Sequence, residues 1–202
     1  MSQGGTEEAE CPSEGHEVAA VHPLENAWSL WVLLRDSSTK GNWQGSQADV
    51  ASFVSVEEFW GIFNNIQKPS KLGTVDFSVF KRGIRPAWED ETCKRGGRWV
   101  ARVDWMKPSN LDSLWLHLVL TVIGENFEDA GGSSICGAVV STRHRNYCKL
   151  ALWISERAEE KVMLLGHAFC QMLQENNVSC DISFEDFSGG EVSKALFTIS
   201  GK

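Results

Sequence analysis

Tyrosine is almost missing from this chain of 202 residues, with one copy against nine tryptophans. Long apolar runs are missing too: none approaches the roughly 20 residues that cross a bilayer, so no membrane span is expected. The opening stretch MSQGGTEEAECPSEGHE has neither a basic start nor an apolar core, which excludes a secretory signal. The six cysteines (Cys11, Cys93, Cys136, Cys148, Cys170, Cys180) include no CxxC pair. Scattered in this way they fit free thiols in a reducing compartment better than a zinc site or a disulfide framework, and the expected location is the cytoplasm, with the nucleus as a second. No GxSxG, P-loop, GxGxxG or HExxH occurs, and the five histidines have no metal-ligand spacing. His144 and Cys148 share one polar loop, but an isolated pair of this kind is about ten times more often plain surface. No enzyme, catalytic residue, metal or cofactor is therefore expected.

Positive charge is in deficit as well. The net charge of −8 argues against a protein that coats long nucleic acid through phosphate neutralisation. Five of those charges come from Glu7, Glu8, Glu10, Glu14 and Glu17, in a stretch of twenty residues with no Lys or Arg. The remainder carries local basic clusters, so a small anionic ligand stays possible. Residues 1–20 read as a disordered acidic tail and 21–202 as a single domain, expected as a monomer. The excess of tryptophan then becomes the main question, because nine indoles are hard to bury in one small core.

The residues from Trp28 to Leu34 predict a buried strand. Ser55-Val56-Glu57-Glu58 is a capping box that opens a helix to about Gln67. Asp76–Phe80 predicts a strand, and Arg85–Asp90 a loop. From Trp99 the chain alternates, with Trp99, Ala101, Val103 and Trp105 on one face and Arg98, Arg102 and Asp104 on the other. Asn110 is expected to cap a long helix to about Gly124. Strands follow at Ile135–Thr142 and Lys149–Ile154, then a helix with the stripe Val162, Leu165, Phe169, Met172 and Leu173. Two short strands, Cys180–Phe184 and Ala195–Ile199, end the chain. This irregular interleaving predicts an α+β domain with a mainly antiparallel sheet backed by helices.

Two tryptophans fall in polar loops. Trp43 lies between Asn42 and Gln44, and Trp88 precedes Glu89-Asp90-Glu91. Each is either a loop indole tucked against the domain or one wall of a slot. In a slot, a planar cation would gain stacking and cation–π attraction of about 2 kcal/mol once desolvated. Glu89 would then accept two charge-assisted hydrogen bonds from a guanine edge, each worth about 1.5–3 kcal/mol. Strand parity puts Lys149 and Trp153 on one face with only Ala151 between them, and Arg143 and Arg145 close by. That arrangement suits a phosphate contact beside a pocket wall, or equally an exposed Lys and a core Trp.

On a helical wheel Phe59, Ile62, Phe63 and Ile66 centre the core stripe of the first helix, and Trp60 falls about 110° away beside Val56. In the next helix Leu111, Leu114, Trp115, Leu118 and Val122 form the core stripe, whereas Leu116 and Leu120 lie off it. Four off-stripe apolar residues on two helices predict an exposed patch for a partner.

HPLENAWSLWVLL, Asn42-Trp43-Gln44, SVEEFWGIFNNIQ, AWEDE, KRGGRW, LWLHLVLTVIGENF, ICGAVV and LALWI follow one another at a characteristic spacing. From about residue 22 to 173 the chain resembles the eukaryotic translation initiation factor 4E family, messenger RNA cap-binding proteins. The resemblance implies a curved antiparallel sheet with three helices on its convex face and the cap in the concave side. It implies that Trp43 and Trp88 sandwich the 7-methylguanine, Glu89 binds its edge, Trp153 touches the N7-methyl group, and Arg143 with Lys149 hold the phosphates. His22, Pro23, Val56, Trp60, Leu116 and Leu120 would receive a Tyr-x-x-x-x-Leu-hydrophobic helix from scaffold proteins of the initiation factor 4G type or from repressors. The implied function is recruitment of capped mRNA to translation initiation; the alternative is a partner-sequestering adaptor with weak cap binding. The chain departs from the family pattern in a loop at 145–148 about one residue longer, in His117 where an acid is common, and in a short acidic run at 185–191.

Overall fold

Alternating apolar residues build the strands. In a computed structural model of the chain, residues 20–34, 47–104, 108–127, 132–187 and 195–201 are described. Within them lie β1 (Pro23–Leu34), β2 (Gln47–Ser55), β3 (Val75–Lys81), β4 (Gly97–Asp104), β5 (Ile135–Ser141), β6 (Tyr147–Ile154), β7 (Ile182–Asp186) and β8 (Phe197–Ile199). They form one sheet in the order β2-β1-β3-β5-β6-β4-β7-β8, and every adjacent pair is antiparallel. Register shifts interrupt β1 against β2 and β5 against β6. Such irregularities bend and twist strands, consistent with the curved sheet expected.

Three α-helices cover one face: α1 (Val56–Phe63), α2 (Pro108–Ile123) and α3 (Glu159–Glu175). Strand parity sorts the side chains between the two faces. Trp99, Ala101, Val103, Leu150, Leu152 and Ile154 join the helix-side core with Phe59, Trp115, Leu118 and Phe169. Val100, Ala151 and Trp153 point the other way, into a second apolar cluster. No helix among the described residues is long and apolar enough to cross a membrane.

The ends of elements depart from expectation for local reasons. The helix expected to reach Gln67 stops at Phe63, because its last turn tightens: Asn65 N–H donates to Ile62 O at 3.0 Å and its side chain to Gly61 O at 2.7 Å. Of its expected stripe only Phe59 is buried, while Ile62, Phe63 and Ile66 are half-buried. Ser55 does cap this helix, accepting from Glu58 N–H at 3.2 Å, but Glu58 returns its bond to Val54 N–H at 2.7 Å. The second helix begins at Pro108, ahead of Asn110, since proline's fixed φ and missing N–H suit a first turn. β1 starts at Pro23, five residues before Trp28. Trp105 and the tail through residue 19 lie outside the described residues.

One contact seats α3. Trp99 Nε1 donates to Val162 O at 2.9 Å, and Gly166 passes directly over the same indole. A Cβ at Gly166 would lie 2.5 Å from Trp99 Cε2 and 2.7 Å from Ile199 Cδ1. Ala is favoured over Gly in a helix by about 1 kcal/mol, but forcing a methyl group into a packed core costs about 1–3 kcal/mol. The neighbour here is a rigid ring, so overpacking wins. Gly166→Ala is expected to lower the melting temperature by several degrees, at about 2–4 °C per kcal/mol for a chain of this size. An unchanged or raised melting temperature, measured by scanning calorimetry, would show that α3 can lift away from Trp99.

Candidate functional site

The face of the sheet opposite the α-helices is organised in cross-strand rows. One row runs Ser29–Phe80–Gly137–Trp153–Arg98–Glu185. Gly137 is needed there: any Cβ would press into the Phe80 ring, at 2.5 Å from Cδ2. Without it, Phe80 and Trp153 meet edge to face at 5.5 Å. Phe187 packs against Trp153 from another side at 4.7 Å, and the Arg98 guanidinium lies 5.5 Å from its ring centroid. Trp153 is therefore only 5% exposed, and its buried Nε1 has no hydrogen-bond partner among the described residues. Its ring is a fixed wall whose N–H remains to be satisfied.

A second row carries charge: Asp76–Ser141–Lys149–Arg102. Lys149, Ala151 and Trp153 share this face, as parity predicted. Arg143 reaches the same row, its Nη2 2.5 Å from Asp76 Oδ2. Burial pushes the Asp76 carboxyl up from the ordinary range, against the opposing pull of Ser141 and Arg143. Arg98 Nη2 binds Glu185 Oε2 at 2.7 Å, and Arg102 reaches the other carboxylate oxygen at 3.5 Å. Asp186 binds Arg157 Nε at 3.2 Å. Two acids of the run 185–191 are thus held in ion pairs on β7, and residues 188–191 lie outside the described residues.

Trp88 and Glu89 stand on the loop between β3 and β4. Asp90 shapes that loop: its carboxylate accepts from Arg85 N–H at 3.1 Å, Thr92 N–H at 2.9 Å and Cys93 N–H at 3.4 Å. Cys93 Sγ donates to Arg85 O and is buried in the open-face cluster, so the loop is anchored from below. Hydrogen bonding with Cys136 and burial push the Cys93 thiol well above its ordinary pKa, which leaves it unreactive. Trp88 packs half-buried at the edge of this cluster, while Glu89 is exposed. Trp43 lies outside the described residues.

The structure therefore brings Trp88, Glu89, Trp153, Arg143 and Lys149 to one side of the sheet. Arg145 is exposed on the β5–β6 loop. Sequence reasoning passed over Asp90, Asp76, Arg98, Phe80 and Phe187. Asp90 had a local signal, an Asp positioned to bond backbone N–H groups two and three residues on; the others needed the strand register. His144 and Cys148 do not form a pair. His144 is exposed, whereas Cys148 is fully buried on the helix side, with Sγ 3.5 Å from Val103 O. Among the described residues no cluster of His, Cys, Asp and Glu could hold a metal.

The expected partner residues lie on the helix side. His22 is tied to the first turn of α1: its N–H donates to Glu57 Oε2 at 3.0 Å, and its Nδ1 lies 2.6 Å from Oε1. These bonds hold the Glu57 carboxyl down at about 2. Pro23 pairs with Ser55, beside exposed Val56. Trp60 is half-buried, edge-on to Phe59 at 5.0 Å and to Phe63 at 6.1 Å. Leu116 and Leu120 are half-buried on α2. Trp60 is therefore neither a core residue nor free of the core. His117 is exposed and bonded to Asn176 at the end of α3.

Comparison with known proteins accounts for this architecture. The family model for eukaryotic initiation factor 4E matches residues 23–195. Eukaryotic translation initiation factor 4E1 of Drosophila melanogaster is 42% identical over 149 residues, 72% of this chain and 55% of that protein. A structure of Caenorhabditis elegans eIF4E-3 with the 4E-binding protein Mextli has a TM-score of 0.79 at 33% identity, over 89% of this chain and 100% of that one. Ascaris suum eIF4E-3 with m7G cap gives 0.77 at 36% identity, over 89% and 98%. The antiparallel sheet with α1, α2 and α3 on one face and an aromatic cluster on the other, and the match along nearly its whole length, lead to one conclusion: this chain belongs to the eukaryotic initiation factor 4E family.

Proposed function

We propose that this protein binds the 7-methylguanosine cap of messenger RNA on the open face of the sheet, and recruits the mRNA to translation initiation through its helical side. The observation that carries the reading is the placement of Lys149, Ala151 and Trp153 on one face, with Trp88 packed against the cluster that holds Ala151 and Trp153. A methylated guanine is planar and cationic, so it stacks on Trp88, with Trp43 as the second wall, while Glu89 pairs with its N1–H and N2 amino edge. Trp153, held by Phe80 and Phe187, meets the N7-methyl group. Lys149 and Arg143 take the phosphates, with the Asp76 pairing fixing where the Arg143 guanidinium stands. Binding is the whole activity, and no bond is made or broken. Support comes from the solved relatives, one with m7G cap and one with the 4E-binding protein Mextli.

On the helical side His22, Pro23, Val56, Trp60, Leu116 and Leu120 receive an amphipathic helix of the Tyr-x-x-x-x-Leu-hydrophobic kind, from scaffold or repressor proteins. The working form is a monomer in the cytoplasm. A weak-binding adaptor is not favoured, because Glu185 and Asp186, whose charge would oppose phosphates, are neutralised by Arg98, Arg102 and Arg157.

The deciding experiment is a titration of intrinsic Trp fluorescence with m7GTP and with GTP. Strong quenching and much tighter binding of the methylated nucleotide are expected. Trp88→Ala should weaken m7GTP by about 1–3 kcal/mol, the range for base–aromatic stacking. Equal affinity for the two nucleotides, or an unaffected Trp88 variant, would remove the slot.

Glu89→Ala leaves the guanine edge unpaired in a dry site. At least a tenfold weakening is expected, equivalent to about 1.4 kcal/mol. A variant that still prefers guanine over adenine would place the reading of the base edge elsewhere.

Trp60→Ala separates the two faces. A fully buried Trp would cost about 3–5 kcal/mol on truncation; being half-buried, Trp60 should cost about half that. Binding of a scaffold-type helical peptide should be lost while m7GTP affinity is retained. Loss of both activities, with a melting drop of the full core size, would return Trp60 to the core.

A further inference from the structure

The β5–β6 hairpin carries a feature that the cap reading leaves unused. His144 and Tyr147, the only tyrosine of the chain, stack face to face with ring centroids 3.7 Å apart and planes inclined by 20°. The stack is built rather than accidental. Asn146 N–H donates to His144 Nδ1 at 3.2 Å, which fixes the ring and leaves its proton on Nε2 when neutral. Tyr147 is the first residue of β6 and half-buried, so it forms a rigid base; His144 is exposed above it. Lys149 Nζ lies 5.8 Å from the Tyr147 centroid.

Position gives the stack a meaning. Tyr147, Lys149, Ala151 and Trp153 alternate along β6 and so share the open face. At about 3.4 Å per residue, Tyr147 lies about 7 Å beyond Lys149 and about 20 Å from Trp153. A ligand with its base against Trp153 and its phosphates at Lys149 therefore continues toward the stack. The charges change along this line. Arg102 stands opposite Lys149, where phosphates are welcome, whereas Asp104 stands opposite Tyr147 and disfavours another phosphate there. An aromatic surface beside a carboxylate suits a nucleobase, which offers a π-face for stacking and amino groups for hydrogen bonding.

We propose that the His144–Tyr147 stack is a platform for the base of a nucleotide following the cap, so that this protein holds capped RNA more tightly than the cap alone. The inference rests on the cap reading above. The ligand is a single-stranded RNA base, held by stacking and without sequence readout by the ring itself.

The test compares m7GTP with the capped oligonucleotide m7GpppApApA, both titrated against the full chain. The wild type should bind the oligonucleotide about five- to tenfold more tightly than m7GTP. His144→Ala, at an exposed position where folding is not at risk, should erase most of that advantage and leave m7GTP affinity within about twofold. His144→Phe should keep the advantage, because it keeps the ring and discards the charge. Tyr147→Phe should keep it as well. An oligonucleotide bound no more tightly than m7GTP by the wild type would overturn the platform and leave cap binding intact. So would an advantage that survives His144→Ala, or one that His144→Phe loses, since charge alone would then explain it. Failure of the wild type to bind m7GTP at all would overturn the cap reading and the platform together.

Discussion

The ladder between β4 and β6 is the constraint on which the molecule turns. Eight consecutive residues of β4, Gly97 to Asp104, pair in unbroken antiparallel register with Ile154 back to Tyr147. Because side chains alternate with a period of two, this one register decides both faces at once. It puts Trp99, Ala101 and Val103 with Leu150, Leu152 and Ile154 under the helices, and Arg98, Val100 and Arg102 with Lys149, Ala151 and Trp153 on the open side. A slip of one residue would turn Lys149 to the helix side and expose the core. The apolar burial on the helix side, at about 25 cal/mol per Å2 of area removed from water, is what forbids that slip. The face opposite the helices inherits its geometry from packing on the helix side.

The face opposite the helices combines an apolar aromatic floor with paired charges in a chain of net negative charge. Its floor is apolar and its aromatic groups are wedged against one another, so Trp153 loses no freedom when a ligand arrives. Its cations stand beside acids: Arg143 by Asp76, Arg98 and Arg102 by Glu185. Such pairing fixes long side chains in place and lowers the local field. Lys149 has its ammonium beside the ring of Tyr147 instead.

The sheet also separates two apolar clusters. The aromatic floor and the helix-side core lie on opposite sides of one layer of strands, and Trp60 packs on Phe59 and Phe63, on the side away from Trp153. Substitutions on one side can therefore be read without disturbing the other, provided they leave the strand register intact. The loop that carries Trp88 is the exception in kind. It is shaped by the Asp90 carboxylate and tied down by Cys93, so its geometry depends on local hydrogen bonds more than on the ladder.

Much of this was legible in the residues themselves. Period-two alternation exposed the two faces of β4 and the sharing of one face by Lys149 and Trp153, because that signal is local and repeats. The helix stripes gave Leu111, Leu114, Trp115, Leu118 and Val122 as core, and all are buried. Ser55 as a cap could be read for the same reason: a cap and its helix are three residues apart. Helix ends were less legible, since Pro108 and Asn110 offer competing starts and the tightening after Phe63 depends on side-chain bonds of Asn65. What the chain alone could not reveal are partnerships between residues far apart in sequence. Asp76 with Arg143, Arg98 with Glu185, Phe80 with Trp153 across Gly137, and Gly166 over Trp99 join segments tens of residues apart. Only the folded sheet brings them together, because cross-strand neighbours are chosen by register and topology, and neither leaves a mark at any single position.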